Sequence, residues 1–183
     1  METVRRRRSE GREQFYRSAR RLAWVFSALV AAAILCLLFL IWLFPTRIEG
    51  DSMTPALEDG EVVLCDRFAK YWKTPGRGDM ILFETADGLF IKQIVALPEE
   101  TVEIVDGHVF IDSCPLDEDA YVNHCVGDMA PLVVPAGCVF VLGDNRSEMY
   151  DSRLETVGCI SRADIKGVLR VRIAPLSRFT FFS

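Results

Sequence analysis

Residues 22–44 read LAWVFSALVAAAILCLLFLIWLF, an apolar stretch with no charged side chain. A helix needs roughly 20 such residues to cross the hydrocarbon core of a bilayer, and this run exceeds that. A removable export signal would have an apolar core of only about 7–15 residues ending in small side chains. Here the run is longer and stops at Trp42, Leu43, Phe44 and Pro45. It reads as a retained membrane anchor. The chain then divides into a basic segment 1–21, a transmembrane helix 22–44 and an outer domain 45–183. Residues 1–21 carry eight Arg against three Glu, while the whole chain has a net charge of −5. Positive charge flanking the anchor on its N-terminal side holds that side in the cytoplasm and sends residues 45–183 across the membrane. Trp24 and Trp42 suit the two interfaces. A basic start followed by an acidic remainder suggests a nucleic-acid tail, but an anchor directly behind it excludes that reading.

The outer domain has room for one ordinary core. Turn signals recur between short apolar runs. Glu58-Asp59-Gly60 precedes EVVLCDRF, Gly76-Arg77-Gly78 precedes DMILFET, and Ala86-Asp87-Gly88 leads into LFIKQIVAL. Asp106-Gly107 separates TVEIV from HVFID, and CVFVL ends at Gly143-Asp144-Asn145. Asp-Gly between strand-like runs predicts hairpins. The last strand is GVLRVRIAPL, and SRADIKG, leading into it from Ser161, is the best candidate for a short helix or turn outside the membrane. The fold class is mainly β, an antiparallel sheet domain preceded by one N-terminal transmembrane helix. Five cysteines fall in the outer domain, so at least one stays unpaired in a monomer. Cys65 and Cys138 read as core fillers, Cys114 and Cys125 are close enough in sequence to pair, and Cys159 has no assigned partner. His124 beside Cys125 lacks zinc spacing, so neither a metal nor another cofactor is expected.

Within Leu89–Pro98, LFIKQIVALP, a lysine stands among Phe90, Ile91, Ile94 and Val95. An edge lysine snorkels its head to water. A central one, starved of water, loses its proton and becomes a base. Strand periodicity places Phe90, Lys92, Ile94 and Ala96 on one face, and neither face looks solvated. Such an amine activates a serine hydroxyl held within reach. Ser52, in IEGDSMTPAL, is the candidate, with Gly50 loosening the chain before it and Pro55 stiffening it after. Standing alone, that serine is equally a turn former.

Four blocks supply what spacing does not: EGDSMTPAL, RGDMILFE at 77–84, IKQIVALPEETVEI at 91–104 and GDNRSEMYDSR at 143–153. Together with the anchor they resemble the bacterial type I signal peptidases, membrane-bound Ser-Lys proteases whose catalytic domain is of the signal-peptidase and LexA-like type. The resemblance implies that Ser52 is the nucleophile and Lys92 the general base. It implies cleavage of exported preproteins after small residues, in an Ala-x-Ala pattern, through an acyl-enzyme. The substrate would add to an exposed strand, and the Ser52 N–H would donate to the oxyanion. Gly50, Asp51, Met53, Asp144, Asn145, Met149, Asp151 and Arg153 are the supporting site residues.

Departures from the family pattern also matter. A serine usually stands where this chain has Met149, which packs on the lysine stem but makes no useful hydrogen bond; Ser147 and Ser152 are the candidate substitutes. The arginine usual after the lysine is Gln93, which leaves Arg146 to partner Asp144. Asp151 and Arg153 are expected to form an ion pair. Glu99-Glu100 replaces a Gly-Asp turn. RFAKYWK at 67–73 and RFTFFS at 178–183 mix aromatic and basic residues as bilayer interfaces do. The expected partners are signal peptides and the lipid bilayer, with no nucleic acid, and the protein is expected to act as a monomer in the cell membrane. The alternative is a scaffold relative dedicated to pilus assembly. A self-cleaving regulator is disfavoured by the anchor, and a His-based relative by the positions of His108 and His124.

Overall fold

The computed structural model describes residues 2–118 and 125–182, so His124 lies outside the described residues. The chain divides into two compact units between Trp42 and Leu43. The first is a single helix, α1, Glu2–Trp42. Its span Arg20–Phe39 is long and apolar enough to cross a membrane, and none of it is buried against protein. The apolar run outlasts the helix. Leu43 and Phe44 open strand β1 (Leu43–Arg47) and pair with Asp66 and Cys65 of β2 (Val62–Asp66). Pro45 gives the reason: it has no N–H to continue the helix and disfavours helical geometry in the residue before it.

The second unit is built on two antiparallel sheets. The larger runs β1-β2-β11-β3-β4-β9-β10, with β12 added on β11, and the smaller runs β7-β6-β5-β8. Here β3 is Met80–Thr85, β4 Gly88–Ala96, β5 Thr101–Val105, β6 His108–Ile111, β7 Cys114–Pro115 and β8 Met129–Val133. β9 is Cys138–Leu142, β10 Ile160–Ser161, β11 Ile165–Ala174 and β12 Thr180–Phe181. The mainly β class and the hairpins read from the sequence are those observed. β3 and β4 pair from Met80↔Gln93 to Thr85↔Gly88, leaving Ala86-Asp87 as a two-residue turn. β5 and β6 close around Asp106 and Gly107, both at positive φ, the conformation that a right-twisting two-residue hairpin requires.

Of the helix and turn readings of SRADIKG the structure takes the turn, running into β11, because Gly167 and Val168 already pair with β3. The short helix lies instead in RFAKYWK, as α2 (Ala69–Trp72), where Asp66 Oδ1 accepts hydrogen bonds from the Phe68 and Ala69 N–H groups. No cysteine is paired: all six are free thiols, with Cys114 exposed and Cys125 buried.

Three apolar clusters fill the domain. One lies between the small sheet and β9, around Val102, Ile104, Phe140 and Leu142. A second lies around Ile81, Phe83, Ile94 and Val168. The third, with Met53, Leu57, Val63, Leu82, Ile91 and Leu169, forms the floor under the segment that follows β1. That segment is also gripped by charge. Arg172 of β11 is buried and donates to Ala56 O at 2.8 Å, to Glu61 Oε2 at 2.9 Å and, through Nε, to Arg178 O at 2.7 Å. Arg178 donates to Pro55 O at 3.2 Å and lies 3.1 Å from Glu61 Oε1.

Removing one member of a buried pair strands the other charge. Arg172→Ala is expected to cost about 3 kcal/mol in a chemical denaturation series, and Arg172→Met combined with Glu61→Gln is expected to cost less. Equal losses for the single and double variants would show that the pair carries no such penalty.

Candidate active site

β4 carries Lys92 into the middle of the large sheet. Opposite it on β3 is Ile81, and its neighbours Ile91 and Ile94 belong to two of the apolar clusters. Lys92 is 1% exposed. Among the described residues no carboxylate forms an ion pair with it. Burial pushes the Lys92 amine below its usual range, with Asp151, Glu148 and Asp144 pulling back in the other direction and Arg153 adding to the depression. The sheet thus holds a nitrogen that favours losing its proton.

Ser52 sits on the turn after β1. Gly50, at φ +82°, donates its N–H to Asp59 Oδ1 at 2.8 Å. Thr54 N–H then bonds to Asp51 O and Leu57 N–H to Met53 O, winding the segment into a tight turn. Met53, 2% exposed, plugs that turn into the apolar floor. Directly after β9, the loop Gly143–Arg153 clamps the turn. Asn145 N–H donates to Ser52 O at 3.1 Å, and Asn145 Nδ2 donates to Asp51 O at 3.4 Å.

Gly143 is where the two candidates meet. A Cβ there would lie 2.4 Å from Ser52 O and 3.3 Å from Lys92 Nζ. The Ser52 backbone and the Lys92 amine therefore converge on one point that only glycine vacates. The sequence reading used this glycine as the start of a block and did not name it as a site residue. The signal that marks it is backbone approach, which a single sequence does not display.

The rest of the loop is locked by two arginines. Arg153 bonds bidentately to Asp151, at 2.9 and 2.8 Å, and donates to Arg146 O at 2.9 Å. Asp151, fully buried, also receives the Gly143 N–H at 3.4 Å. Arg146 points its fork not at Asp144 but at Glu118, in a buried bidentate pair, and its Nε donates to Gly143 O at 2.8 Å. Cys125 Sγ accepts from the same guanidinium. Glu118 and Cys125 come from the β7–β8 connection, which carried no sequence signal for a role here.

Arg146 therefore does not become the hydrogen-bond partner of Asp144 in place of an arginine at position 93. Asp144, 2% exposed, keeps Oδ1 without a hydrogen-bond partner among the described residues, and burial pushes its carboxyl up to about 6. Gln93 instead donates to Gly78 O. Of the residues considered in place of the usual serine, Met149 is 44% exposed, Ser147 is exposed, and buried Ser152 accepts the Val141 N–H at 3.0 Å. Glu99, at φ +71°, and Glu100, bonded to Arg77 and to the Leu97 N–H, form a turn away from Lys92.

An open cleft of about 680 Å³ lies beside Ser52, between Thr46–Glu49 on one side and Asp87–Ile91 on the other, with Leu82 as floor. β9 pairs with β4 only from Gln93 onward, so β4 has a free edge from Gly88 to Lys92. The arrangement is a serine beside an amine biased toward neutrality, facing a groove with an unpaired strand edge. It suits transfer of the serine proton to the amine and attack of the serine on a carbonyl laid in the groove.

The model of the family described as "Signal peptidase, peptidase S26" matches residues 21–174. Signal peptidase I P of Bacillus subtilis subsp. natto is 34% identical over 82% of this chain and 87% of its own length. A probable signal peptidase I-1 of Synechocystis is 33% identical over 82% of each chain. A solved signal peptidase I from Enterococcus faecalis aligns over 53% of this chain and 97% of its own, at 32% identity and a TM-score of 0.47.

Asp144 gives a test of the geometry that is independent of any reaction. Its folded-state pKa lies above the ordinary carboxyl value. The folded state therefore holds the proton more tightly, and the stability this gives is present at low pH and lost as pH rises from about 4 through 6. Asp144→Asn removes that loss. Its stability relative to the parent should improve by about 2 kcal/mol between pH 4 and pH 7 in denaturant titrations. A difference independent of pH would mean that Asp144 is solvated.

Proposed function

This chain belongs to the signal peptidase family, peptidase S26, and removes N-terminal signal peptides as a signal peptidase I; from that premise we propose that Ser52 is its nucleophile and Lys92 its general base. The observation that carries the assignment is the burial of Lys92 at 1% exposure with its Nζ converging on the Ser52 backbone at Gly143.

The preprotein lies extended in the cleft, its main chain pairing with the free edge of β4 between Gly88 and Lys92. Small side chains at the first and third positions before the cut enter the shallow apolar floor around Leu82 and Ile91. Lys92 takes the Ser52 hydroxyl proton as Oγ adds to the carbonyl, and the Ser52 N–H donates to the oxyanion. The amine returns the proton to the departing chain, leaving an acyl-enzyme. Lys92 then deprotonates the water that releases the signal peptide. Asp151, Arg153 and Arg146 hold the loop that shields the amine. Asp51, Met53 and Asn145 hold the serine turn, and Gly50 gives it a bend that a side chain would strain. No step calls for a metal or cofactor.

The basic residues at the N-terminal end of α1, ahead of its apolar span, support an orientation in the cell membrane with the N-terminus in the cytoplasm and the catalytic unit outside. Exposed Trp72, Leu176, Phe179 and Phe181 support contact of the domain with lipid. A scaffold role dedicated to pilus assembly has no observation in its favour, since both Ser52 and Lys92 are in place.

Incubation of the purified chain with a model preprotein tests the assignment. The parent should cut after Ala-x-Ala, and Ser52→Ala and Lys92→Met should each lose at least about 10³-fold in rate. Undiminished cleavage by Lys92→Met sinks the mechanism. The pH dependence has a definite sign. Rate should rise with pH as Lys92 deprotonates, with an acid limb below the ordinary lysine range because burial depresses that amine. Exposed Glu148 pulls the amine up. Glu148→Gln should therefore move the limb of kcat/KM toward lower pH by roughly a few tenths of a unit, read from a pH–rate profile.

A further inference from the structure

A second cavity of about 590 Å³ adjoins the cleft beside Ser52 and shares Leu82 and Leu89 with it. The strands on both sides lead from one space to the other. Along β1, Thr46 and Arg47 line the cleft, and Phe44, earlier in the same strand, lines the second cavity. Along β4, Phe90 and Ile91 line the cleft, and Leu89 lines both. α2 closes the far wall with Phe68 and Tyr71.

The lining contains three cations, and each is already engaged. Lys70 donates to Ala163 O and Ile165 O, Lys166 pairs with Glu84 at 2.6 Å, and Arg67 lies over the Phe44 ring at 4.4 Å. The rest of the lining is mainly apolar, with Leu82, Leu89 and the rings of Phe44, Phe68 and Tyr71. Extended chain advances roughly 3.3 Å per residue, so the Gly88–Lys92 edge accommodates about four residues before the scissile bond. The residues beyond them leave the cleft at Leu89.

We infer that this second cavity is a subsite for the apolar side chains about five to seven residues before the cut, where the hydrophobic core of a signal peptide ends. The inference rests on the reading of the Ser52 cleft as the signal-peptide groove. Continuity of the floor and of both flanking strands identifies the occupant as the upstream part of the same chain. Apolar contact there contributes through buried area, and it lowers KM without touching the reacting groups.

The test uses the full chain in detergent and two peptide substrates with the same Ala-x-Ala site. One has four residues before the cut, and the other has nine with leucines at the fifth to seventh positions. The parent should favour the long peptide. Phe68→Ser and Tyr71→Ser should raise KM for the long peptide about 5–10-fold while leaving kcat and the short peptide unchanged. Glu155→Ala, at an exposed position outside both linings, should leave both unchanged. Equal effects on both peptides, or none on the long one, overturn the subsite. A defect seen only on lipid vesicles and not in detergent also overturns it, assigning Phe68 and Tyr71 to lipid contact. Failure of the parent to cut either peptide, or cleavage of both by Ser52→Ala, overturns the groove reading itself and the subsite with it.

Discussion

The proposed chemistry depends on keeping water away from one amine, that of Lys92. In water a lysine is almost wholly protonated near neutral pH and is useless as a base. Here the amine is held in the middle of a sheet, with Ile81 across from it and apolar clusters on both sides of β4. The remaining opening is closed by the loop after β9, whose Gly143 backbone lies against both Lys92 Nζ and Ser52 O. A side chain at 143 would have to displace the Ser52 carbonyl, so covering Lys92 and placing Ser52 are one packing problem with a single backbone solution.

That solution is held by charge more than by apolar contact. Three buried or half-buried guanidinium groups grip the two loops that matter. Arg172 holds the Ser52 turn through Ala56 O and Glu61. Arg153 and Arg146 fix the covering loop through Asp151, Glu118 and the loop's own carbonyls. Buried ion pairs are poor sources of net stability, because desolvation offsets most of their attraction. Their directional forks do fix geometry. Irregular loops lack the ladder of bonds that orients a strand, and these arginines supply the equivalent. Tyr150 extends the same logic to the groove. It stacks on Phe90 at 4.3 Å and donates to Asp87 at 2.5 Å, tying the covering loop to the hairpin tip beside the cleft.

How much of this the sequence displays follows from how local each cause is. The hairpins were legible because Asp-Gly turns and alternating strands act over a few residues, as at Asp106-Gly107. The long apolar helix was legible because length and apolarity suffice, although the last two residues of the apolar run went to β1 once Pro45 ended the helix. Lys92 was visible as an oddity, and the family blocks supplied the role proposed for it. The partners of the arginines were not legible. Arg146 stands next but one to Asp144 in sequence yet pairs with Glu118, 28 residues away, because the fork follows tertiary geometry. The α2 turn was missed for a related reason: its cap is Asp66, at the end of a strand, and the four residues it starts are too few to show a period.

The buried Asp144, with Oδ1 unbonded among the described residues, completes the electrostatic picture. A carboxylate near an amine ordinarily favours the ion pair, and each group then raises the charge of the other. At this site burial dominates both: it lifts the Asp144 carboxyl to about 6 and depresses the Lys92 amine. Two interacting groups of this kind titrate as a pair, and their protonation states are shared properties. Asp144 holds the amine up and Lys92 holds the carboxyl down, each against its own burial, so the loop that dries this corner of the domain sets the proton affinity of both groups together.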